Sequence, residues 1–266
     1  MYYLLYLLPK NLISYLVGHL ARLHMGIFPV RLFAAIFQIN LFEAEKDIYE
    51  YKSIAELFTR KLKPGARPIK GKWVHPVDAE IREHGKIEHD RLLQVKGRHY
   101  DLKSLLKNDI YERFFDGYFI TYYLCPTDYH RIHSCCSANI FMTQHIPGKL
   151  WPVNDWSVNA IQDLFAINER VVSYMRHEDG LLASVKVGAT NVGKISLTYE
   201  PNIVSNQFRG GQVVKHHPSL AVEVGEELGC FHMGSTVIIL LEKALYEKYQ
   251  FQFHNSKTKL GEAWST

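Results

Sequence analysis

The feature that most constrains the fold is a series of short β-type runs that begins near residue 73 and continues toward the C-terminus. Tyr118 to Leu124 is rich in aromatic and β-branched residues, and residues 183–187 and 194–199 alternate between apolar and polar. Such runs are typical of strands, and glycines between them, such as Gly229, are typical of turns. We therefore predict a mainly antiparallel β domain. Shorter helices are predicted at residues 102–107, 159–164 and 241–249.

The composition is that of a folded protein. The chain has 266 residues, of which 47% are hydrophobic, so it can bury a full core in one large domain or in one domain with an appendage. It has four cysteines without a C-x-x-C spacing, which are expected to be reduced thiols in a cytoplasmic compartment. These are Cys125, Cys135, Cys136 and Cys230.

The first 42 residues differ from the rest of the chain in charge. They contain Lys10, Arg22 and Arg31 but no Asp or Glu, which gives +3 of a whole-chain formal charge of +4. No uncharged stretch reaches the roughly 18 to 20 residues that a membrane-spanning helix requires. The segment therefore favours helices that lie on a membrane over helices that cross it.

One apolar stripe in this segment has helical spacing. Ile13, Leu16, Val17 and Leu20 recur at i, i+3, i+4 and i+7, the pattern of an amphipathic helix. We predict that residues 1–60 form an N-terminal helical region that associates with anionic lipid at a membrane interface. With the β domain that follows, this makes an α+β protein. The alternative is that these helices cover the core of the β domain.

A run without acidic residues leads into the second predicted unit, the β domain at residues 61–266. Its cations suit an anionic lipid surface, or belong to a solvated surface segment. A nucleic-acid partner is not favoured, because no binding motif or aromatic stacking pattern accompanies the charge. The run contains Arg60, Lys61, Lys63, Arg67, Lys70 and Lys72.

Near the C-terminus, Gly234-Ser235-Thr236 precedes the apolar run Val237 to Leu241. A tripeptide of this kind is common in turns, so its meaning depends on the acids and bases elsewhere in the chain. Asp78 and His133 are candidates, since an Asp, a His and a Ser can form a charge-relay nucleophile. In this hypothesis His133 accepts the hydroxyl proton of Ser235 and Asp78 orients His133.

Several ordered segments match one known family across most of the chain. They are Phe58 to Pro64, Pro76 to Asp78, Asp128 to His133, Asn168 to Val171, Val187 to Gly193 and the Gly-Ser-Thr tripeptide. On these segments the sequence resembles the bacterial-type phosphatidylserine decarboxylase proenzymes, which depend on a pyruvoyl group. So many matches in order make a chance resemblance a poor explanation.

The resemblance implies that the chain matures by autocatalytic serinolysis. Ser235 attacks the carbonyl carbon of Gly234 and converts the amide to an ester, and a glycine there permits a strained backbone and close approach. Elimination at the Cα of Ser235 splits the ester and leaves a dehydroalanine, which hydrolyses to a pyruvoyl group and ammonia. Two chains result, residues 1–234 and 235–266, and they form a heterodimer that can assemble into a higher homo-oligomer.

The implied cofactor is the covalent pyruvoyl group derived from Ser235, which acts as an electron sink. It forms a Schiff base with the serine amine of phosphatidylserine, CO2 leaves, and phosphatidylethanolamine is released. The first histidine of the matched Asp128 to His133 segment, His130, is implied to donate the proton or to contact the departing carboxylate. The implied location is peripheral, on the cytoplasmic face of the cell membrane.

Some features of the sequence complicate these roles. Side chains three residues apart on a regular strand point to opposite faces, so His130 and His133 share one cavity only if the segment bends. Ala79 stands where the family usually has glycine, and Met233 where it has leucine. His133 is followed by Ser134-Cys135 instead of an apolar residue and proline. These changes leave the reacting groups in place but are expected to affect the rate of maturation.

Other interpretations remain open. A serine hydrolase would use Asp78, His133 and Ser235 on an external substrate, although the G-x-S-x-G elbow is absent. A relative that does not mature would act as a lipid-binding module, and a pyruvoyl decarboxylase could act on a soluble amino acid, against which the apolar, basic N-terminus argues. No metal is expected, because the spacing of the remaining histidine candidates matches no metal template. Those candidates are His216, His217 and His232 beside His130.

Overall fold

The computed structural model describes residues 10–95, 97–190, 194–206, 211–232 and 235–265, and of Lys10 and Ser235 it describes the backbone only. Met233 and Gly234 therefore lie outside the described residues, as do positions 191–193 of the matched segment that begins at Val187. Within the described ranges, seven α-helices and thirteen strands form an α+β fold, as predicted.

The N-terminal part of the described chain is helical. Helix α1 spans Lys10–Arg22, α2 spans Ile27–Ile36, a 3₁₀ turn spans Ile48–Glu50 and α3 spans Ile54–Phe58. Ser53 caps α3, because its hydroxyl accepts a hydrogen bond from the backbone N–H of Glu56. Among the helices described, none combines the length and apolar character needed to cross a bilayer. A small hydrophobic cluster holds the segment together through Val30, Ala34, Ile39, Tyr51 and Leu57.

Helix α1 buries its small side chains and exposes its leucines. Ser14, Gly18 and Ala21 form the buried face. Leu16 and Leu20 of the predicted apolar stripe are 51% and 56% exposed, whereas the other two stripe positions are half-buried. The apolar side of this helix therefore faces outward instead of entering the protein core.

An eight-stranded antiparallel sheet forms the centre of the molecule. Its spatial order is β10-β6-β7-β8-β12-β4-β1-β13. The predicted strand at Tyr118 to Leu124 is confirmed as β4, in the interior of this sheet. The strands are β1 (Ala79–Lys86), β4 (Tyr118–Leu124), β6 (Ala138–Ile146), β7 (Arg170–His177), β8 (Gly180–Val187), β10 (Val213–Val222), β12 (Ser235–Leu241) and β13 (Lys257–Thr258).

Two smaller sheets accompany it. Strands β5 (Arg131–His133), β11 (Glu227–Phe231) and β9 (Ile195–Leu197) form one, and β2 (Arg91–Val95) pairs with β3 (Arg98–Asp101) in the other. The prediction that Gly229 marks a turn is wrong, because it lies inside β11. A Cβ at this position would lie 2.3 Å from the carbonyl oxygen of Ser196, so close strand packing requires the glycine.

Four short helices complete the described fold. They are α4 (Leu102–Leu106), α5 (Asp155–Ala160), α6 (Leu164–Ile167) and α7 (Lys243–Tyr249), and a 3₁₀ turn spans Asp109–Phe114. The helices predicted near 102–107 and 241–249 are confirmed. The prediction at 159–164 is wrong in its bounds, because Asn154 caps a helix that starts at Asp155 and Asp163 has a left-handed φ of 57°.

The central sheet has two buried faces of different character. We call the first the helical face, because Arg170 on it bonds α4 and Tyr174 bonds Asn108, next to the following 3₁₀ turn. The opposite one, the second face, carries Thr143, Ser173 and Lys186, whose strands pair in register. At one end of the sheet β12 begins where β4 and β8 end, since Ser235 pairs with Leu124 and Thr236 with Val187.

Candidate active site

Ser235 is the first residue of β12, where the chain enters the central sheet. Just upstream, β11 ends at Phe231 in the three-stranded sheet, and the backbone N–H of His232 donates to the carbonyl of Lys194 over 2.9 Å. The predicted cleavage site therefore falls between a strand of one sheet and a strand of another.

A short loop joins the register partner of Ser235 to the two histidines. It leaves Leu124, and the carboxylate of Asp128 accepts the N–H of Cys125 over 2.7 Å. The carbonyl of His130 accepts the N–H of Phe231 over 3.0 Å, which places His130 beside the strand that leads to Ser235. Because His130 precedes β5 and His133 ends it, the two histidines do not lie on one regular strand. That the two histidines share one cavity stays a prediction.

His130 is fully buried, and its ring packs on Phe58 with 4.0 Å between the ring centroids. Its Nδ1 donates to the carbonyl oxygen of Asp128 over 2.9 Å, so Nε2 carries the lone pair of the neutral ring. Among the described residues, Nε2 is buried without a hydrogen-bond partner. Burial lowers the pKa of His130 to about 3, the Asp128 carbonyl opposes this shift, and the charge of Arg60 adds to it. His130 is therefore neutral at pH 7.

The ring of His133 is held at both nitrogens. Nδ1 lies 2.8 Å from the carbonyl oxygen of Gly225, which can only accept, so Nδ1 carries the proton in the neutral ring. Nε2 lies 3.1 Å from the hydroxyl of Tyr129 and accepts from it. Burial lowers the pKa of His133, although the Gly225 carbonyl and the charge of Glu227 act in the opposite direction. The result is a neutral imidazole with a defined tautomer and its basic nitrogen at Nε2.

Asp78 lies close to His133 in the fold but bonds other groups. The N–H of His133 donates to the carbonyl of Pro76 over 2.9 Å, which brings the two segments together. The Asp78 carboxylate accepts from Arg67 Nε over 2.9 Å and from the N–H of Leu260 over 2.9 Å. Its charge reaches His133 at longer range and, behind burial and the Gly225 bond, acts to raise the pKa of that ring. Direct orientation of His133 by Asp78 thus stays a prediction.

The altered residues around the site fit the fold. Ala79 starts β1, pairs with Thr258 and is not among the residues with positive φ, so this position does not need glycine. The hydroxyl of Ser134 donates to the carbonyl of Cys136 over 2.6 Å, and the carbonyl of Ser134 accepts the N–H of Gly225 over 2.9 Å. The latter bond helps to fix Gly225, whose carbonyl holds His133.

Two cations of the predicted linker, the buried Arg60 and the half-buried Arg67, make contacts within this region. This corrects the expectation of a lipid-facing or solvated run at these two positions. Arg60 donates to the carbonyls of Thr127 and Asp128 over 3.2 and 3.3 Å. Arg67 binds Asp78 and Glu43, and although burial opposes its charge, these bonds raise its pKa. The sequence did not reveal either role. Residue types alone do not distinguish cations that lie at the surface from cations that form contacts inside the fold.

Comparison with known proteins identifies one family. The family model for phosphatidylserine decarboxylase matches residues 54–264. A protein of Anaeromyxobacter sp. (strain K) is 43% identical over 247 residues, which cover 89% of this chain and 87% of the relative. A protein of Methylobacillus flagellatus is 37% identical over 269 residues, 97% of this chain and 95% of the relative. One of Myxococcus xanthus is 40% identical over 248 residues, 90% and 88% respectively.

The match extends over the sheet, the loop with both histidines and the strand that begins at Ser235. The chain belongs to the phosphatidylserine decarboxylase family. Each of the three relatives is named a phosphatidylserine decarboxylase proenzyme, a name that describes a decarboxylase made as a precursor.

Proposed function

We propose that this protein decarboxylates phosphatidylserine to phosphatidylethanolamine and CO2, with a pyruvoyl group made from its own Ser235. Self-cleavage between Gly234 and Ser235 would give chains 1–234 and 235–266. Family membership supports the reaction, and the observation that carries the self-cleavage step is the geometry of His133. The Gly225 carbonyl fixes the tautomer, so Nε2 is the basic nitrogen.

His133 is suited to act as the base for self-cleavage. Because burial lowers its pKa, the ring is neutral at pH 7 and can accept a hydroxyl proton. The Tyr129 hydroxyl occupies Nε2 in the resting protein and has to move aside when the serine hydroxyl approaches. The resulting imidazolium would keep its Nδ1 bond to the Gly225 carbonyl.

Asp78 is proposed to stabilise the imidazolium by its charge. Its carboxylate is held in place by Arg67 and by the backbone N–H of Leu260. A fixed negative charge near a cation that forms during the reaction lowers the barrier without reorganisation at that moment. The partly compensating charge of Arg67 reduces this effect, so Arg67 sets how strongly Asp78 acts.

The surroundings of the proposed cofactor fit it. A pyruvoyl group supplies a ketone that binds a substrate amine and draws off the electrons of the bond to the carboxylate. His130 offers a buried Nε2 with no partner among the described residues, and its backbone is tied to the segment just before Ser235. A buried nitrogen without a hydrogen-bond partner costs free energy of folding, and a catalytic role is one explanation for its presence. We assign it to the carboxylate or to the proton transfer of the substrate.

Membrane association is part of the proposal. The α1 residues Leu12, Leu16 and Leu20, and Leu23 just after the end of the helix, are between 40% and 56% exposed. The Nδ2 of Asn11 near the start of α1 donates to the carbonyl of Gly148 over 3.2 Å, which ties the helix to the β domain. Residues 1–60 would thus hold the enzyme, as a peripheral protein, on anionic lipid at the cytoplasmic face of the cell membrane.

The first experiment is the denatured mass of the purified protein. We expect two fragments split between Gly234 and Ser235, the smaller with a pyruvoyl-blocked N-terminus. Ser235→Ala should give one full-length chain, whereas Ser256→Ala, a serine in the same small fragment, should cleave normally. Two fragments from Ser235→Ala would refute the mechanism.

Substrate choice is tested separately on the cleaved protein. Release of CO2 from phosphatidylserine in detergent micelles, and none from free serine, is the expected result. Activity on free serine alone would favour a decarboxylase of soluble amino acids. A full-length wild-type chain that reacts with acyl substrates would favour a serine hydrolase, and a full-length chain that only binds lipid would favour the module that does not mature.

Lipid binding is tested by vesicle flotation with anionic phospholipid. The double variant Leu16→Glu/Leu20→Glu should lose most of its vesicle binding. Lys243→Glu on α7 changes the formal charge by the same amount and lies at the far end of β12, so it should retain binding. Equal losses in both variants would attribute the binding to net charge and contradict the role of α1.

A further inference from the structure

We propose that His217, Thr143, Tyr199, Ser173 and Lys186 form a proton relay from solvent to the end of the sheet where Ser235 lies. This inference rests on the proposed function and adds the source of the proton that the reaction consumes. Loss of CO2 leaves the electron pair of the broken carbon–carbon bond on the substrate Cα. This pair must then form a C–H bond with a proton that comes, in the end, from water.

The five side chains make one unbroken line of hydrogen bonds on the second face of the sheet. His217 Nε2 lies 3.0 Å from the Thr143 hydroxyl, which lies 3.1 Å from the Tyr199 hydroxyl. The Tyr199 hydroxyl lies 2.5 Å from that of Ser173, and Lys186 Nζ donates to Ser173 over 2.7 Å. His217 is half-buried and Lys186 is fully buried, so the line runs from solvent to the interior.

Each of these five side chains can both donate and accept a proton. Their hydrogen bonds can therefore all point in one direction along the line or all in the other. With Lys186 charged, every hydroxyl donates outward and His217 Nε2 accepts. With Lys186 neutral and His217 charged, every hydroxyl donates inward and the lysine nitrogen accepts. Conversion of the second arrangement to the first moves one proton from His217 to Lys186, and no atom is left without a partner in either arrangement.

The inner end of the line is next to the site. Lys186 on β8 is the register partner of Val237 on β12, two residues after Ser235. Such diagonal neighbours on adjacent strands are about 7–8 Å apart. A lysine has a flexible four-carbon stem, so rotation of Lys186 away from Ser173 is enough to carry its ammonium along the strand toward that end of the sheet.

The proton affinities of these groups suit the task better than those of His130. Burial lowers the pKa of Lys186 to about 7, and burial also lowers that of His217, which Glu200 opposes. His130, with a pKa of about 3, holds almost no proton at pH 7. A proton carrier works best when its pKa lies near the working pH. His130 would pass on or orient a proton that Lys186 supplies.

The charged groups on the elements around Lys186 are engaged with one another. Glu200, next to Tyr199, is paired with Lys215 on β10, and His145 on β6 lies 2.7 Å from Glu169, which immediately precedes β7. In the described parts of the chain no carboxylate forms an ion pair with Lys186, whose bonds go to Ser173 and Ser184. The lysine is therefore free to release its proton.

The first test does not depend on activity. Lysine isotope-labelled at Cε is followed by NMR in the uncleaved Ser235→Ala protein, and Lys186→Met in the same background assigns the signal. We expect one lysine to titrate near pH 7. A Lys186 signal that titrates in the normal range, near 10.5, would overturn the relay.

The second test measures turnover of phosphatidylserine by cleaved protein. Lys186→Met should lower kcat about 100-fold, the lower end of what a positioned acid or base contributes, with KM little changed. Tyr199→Phe interrupts the line without removing its ends, so its kcat should fall and then rise again with added imidazole, which brings protons by another route. Tyr174→Phe removes a buried hydroxyl from the helical face of the same sheet and should behave as wild type.

The outcomes separate the relay from the proposed function. Decarboxylation by the wild type, with Tyr199→Phe as active as Tyr174→Phe and insensitive to imidazole, overturns the relay and leaves the function intact. A wild-type protein without decarboxylase activity overturns the function, and the relay with it. If Lys186→Met fails to cleave, Tyr199→Phe and Ser173→Ala carry the test, since both keep the lysine.

Discussion

Each face of the central sheet carries a buried cation, and the two cations have different hydrogen-bond partners. Arg170 and Lys186 occupy adjacent register positions on β7 and β8 and are both fully buried. Arg170 donates to the carbonyls of Leu105, Asn168 and Ser104 over 2.6, 2.8 and 2.6 Å. Lys186 donates to the Ser173 hydroxyl over 2.7 Å and, at longer distance, to the carbonyl and the hydroxyl of Ser184 over 3.3 and 3.4 Å.

This difference separates a structural charge from a chemical one. Burial lowers the pKa of Arg170 to about 10, so it remains charged at neutral pH and ties α4 to the sheet. The same cause brings Lys186 to about 7, where it can gain or lose a proton. Carbonyl oxygens can only accept and therefore demand a donor, whereas hydroxyls can reverse their bonds. Arginine starts from a pKa of about 12.5 and lysine from about 10.5, so burial leaves Arg170 charged and brings Lys186 close to neutrality.

The largest effect on this comparison is expected from removal of Arg170. In a Ser235→Ala background, Arg170→Met should lower the free energy of unfolding by about 3–5 kcal/mol, because it leaves two buried carbonyls and one partly buried carbonyl without their donor. Lys186→Met should change it by less than about 1 kcal/mol at pH 7, since the hydroxyls can bond one another. Urea unfolding measures both, and equal losses would show that the two cations are held alike.

The second prediction is that the free energy of unfolding depends on pH through Lys186 but not through Arg170. The unfolded chain binds the proton of Lys186 up to about pH 10.5 and the folded protein up to about pH 7. Between these values the unfolded state holds more protons, so stability rises with pH, by at most about 1.4 kcal/mol per unit. The unfolding free energy of the uncleaved protein should therefore increase relative to its Lys186→Met variant between pH 7 and pH 9. The difference between the uncleaved protein and its Arg170→Met variant should stay constant, and a flat lysine difference would contradict the titration.

The smallest expected effect is a shift in the titration of Lys186 itself. Ser173→Ala removes its shortest hydrogen bond, which stabilises the charged form, so the pKa of Lys186 should fall further. A shift of about one unit is expected, since one unit is about 1.4 kcal/mol and a hydrogen bond to a charged group contributes about as much. The NMR titration measures it, with Tyr174→Phe as the control that leaves the midpoint in place.

Local patterns predicted much of the sheet, but not which surfaces are covered. The strand at Tyr118 to Leu124 has the predicted bounds, because its own side chains favour a strand. The alternation around Ser184 and Lys186 is typical of one solvated face, yet both residues are buried, and Tyr199 from outside the sheet bonds Ser173 on that face. Coverage of a face depends on distant segments, and the period of a single strand contains no information about them.

The candidate site shows the same limit. Asp78, His130 and His133 were predicted from matched segments, and backbone hydrogen bonds link His133 to Pro76 and His130 to Phe231. Their partners could not be read from the sequence, because the contacts of Arg67 with Asp78 and of Gly225 with His133 form only in the folded chain. Arg67 in particular belongs to a run of cations whose neighbours remain at the surface. A pairing of this kind is a property of the assembled fold, and residue types alone do not specify it.

The position of Ser235 at the start of a central strand has a consequence for the lifetime of the enzyme. β12 is hydrogen-bonded to β4 on one side and to β8 on the other, so after the proposed cleavage the short fragment remains an interior part of the sheet. A spent or damaged pyruvoyl group could not leave and be replaced, as a dissociable cofactor can, without unfolding the protein. Renewal of the cofactor would therefore require synthesis of a new chain, and the rate of protein replacement would set how long a population of the enzyme remains active.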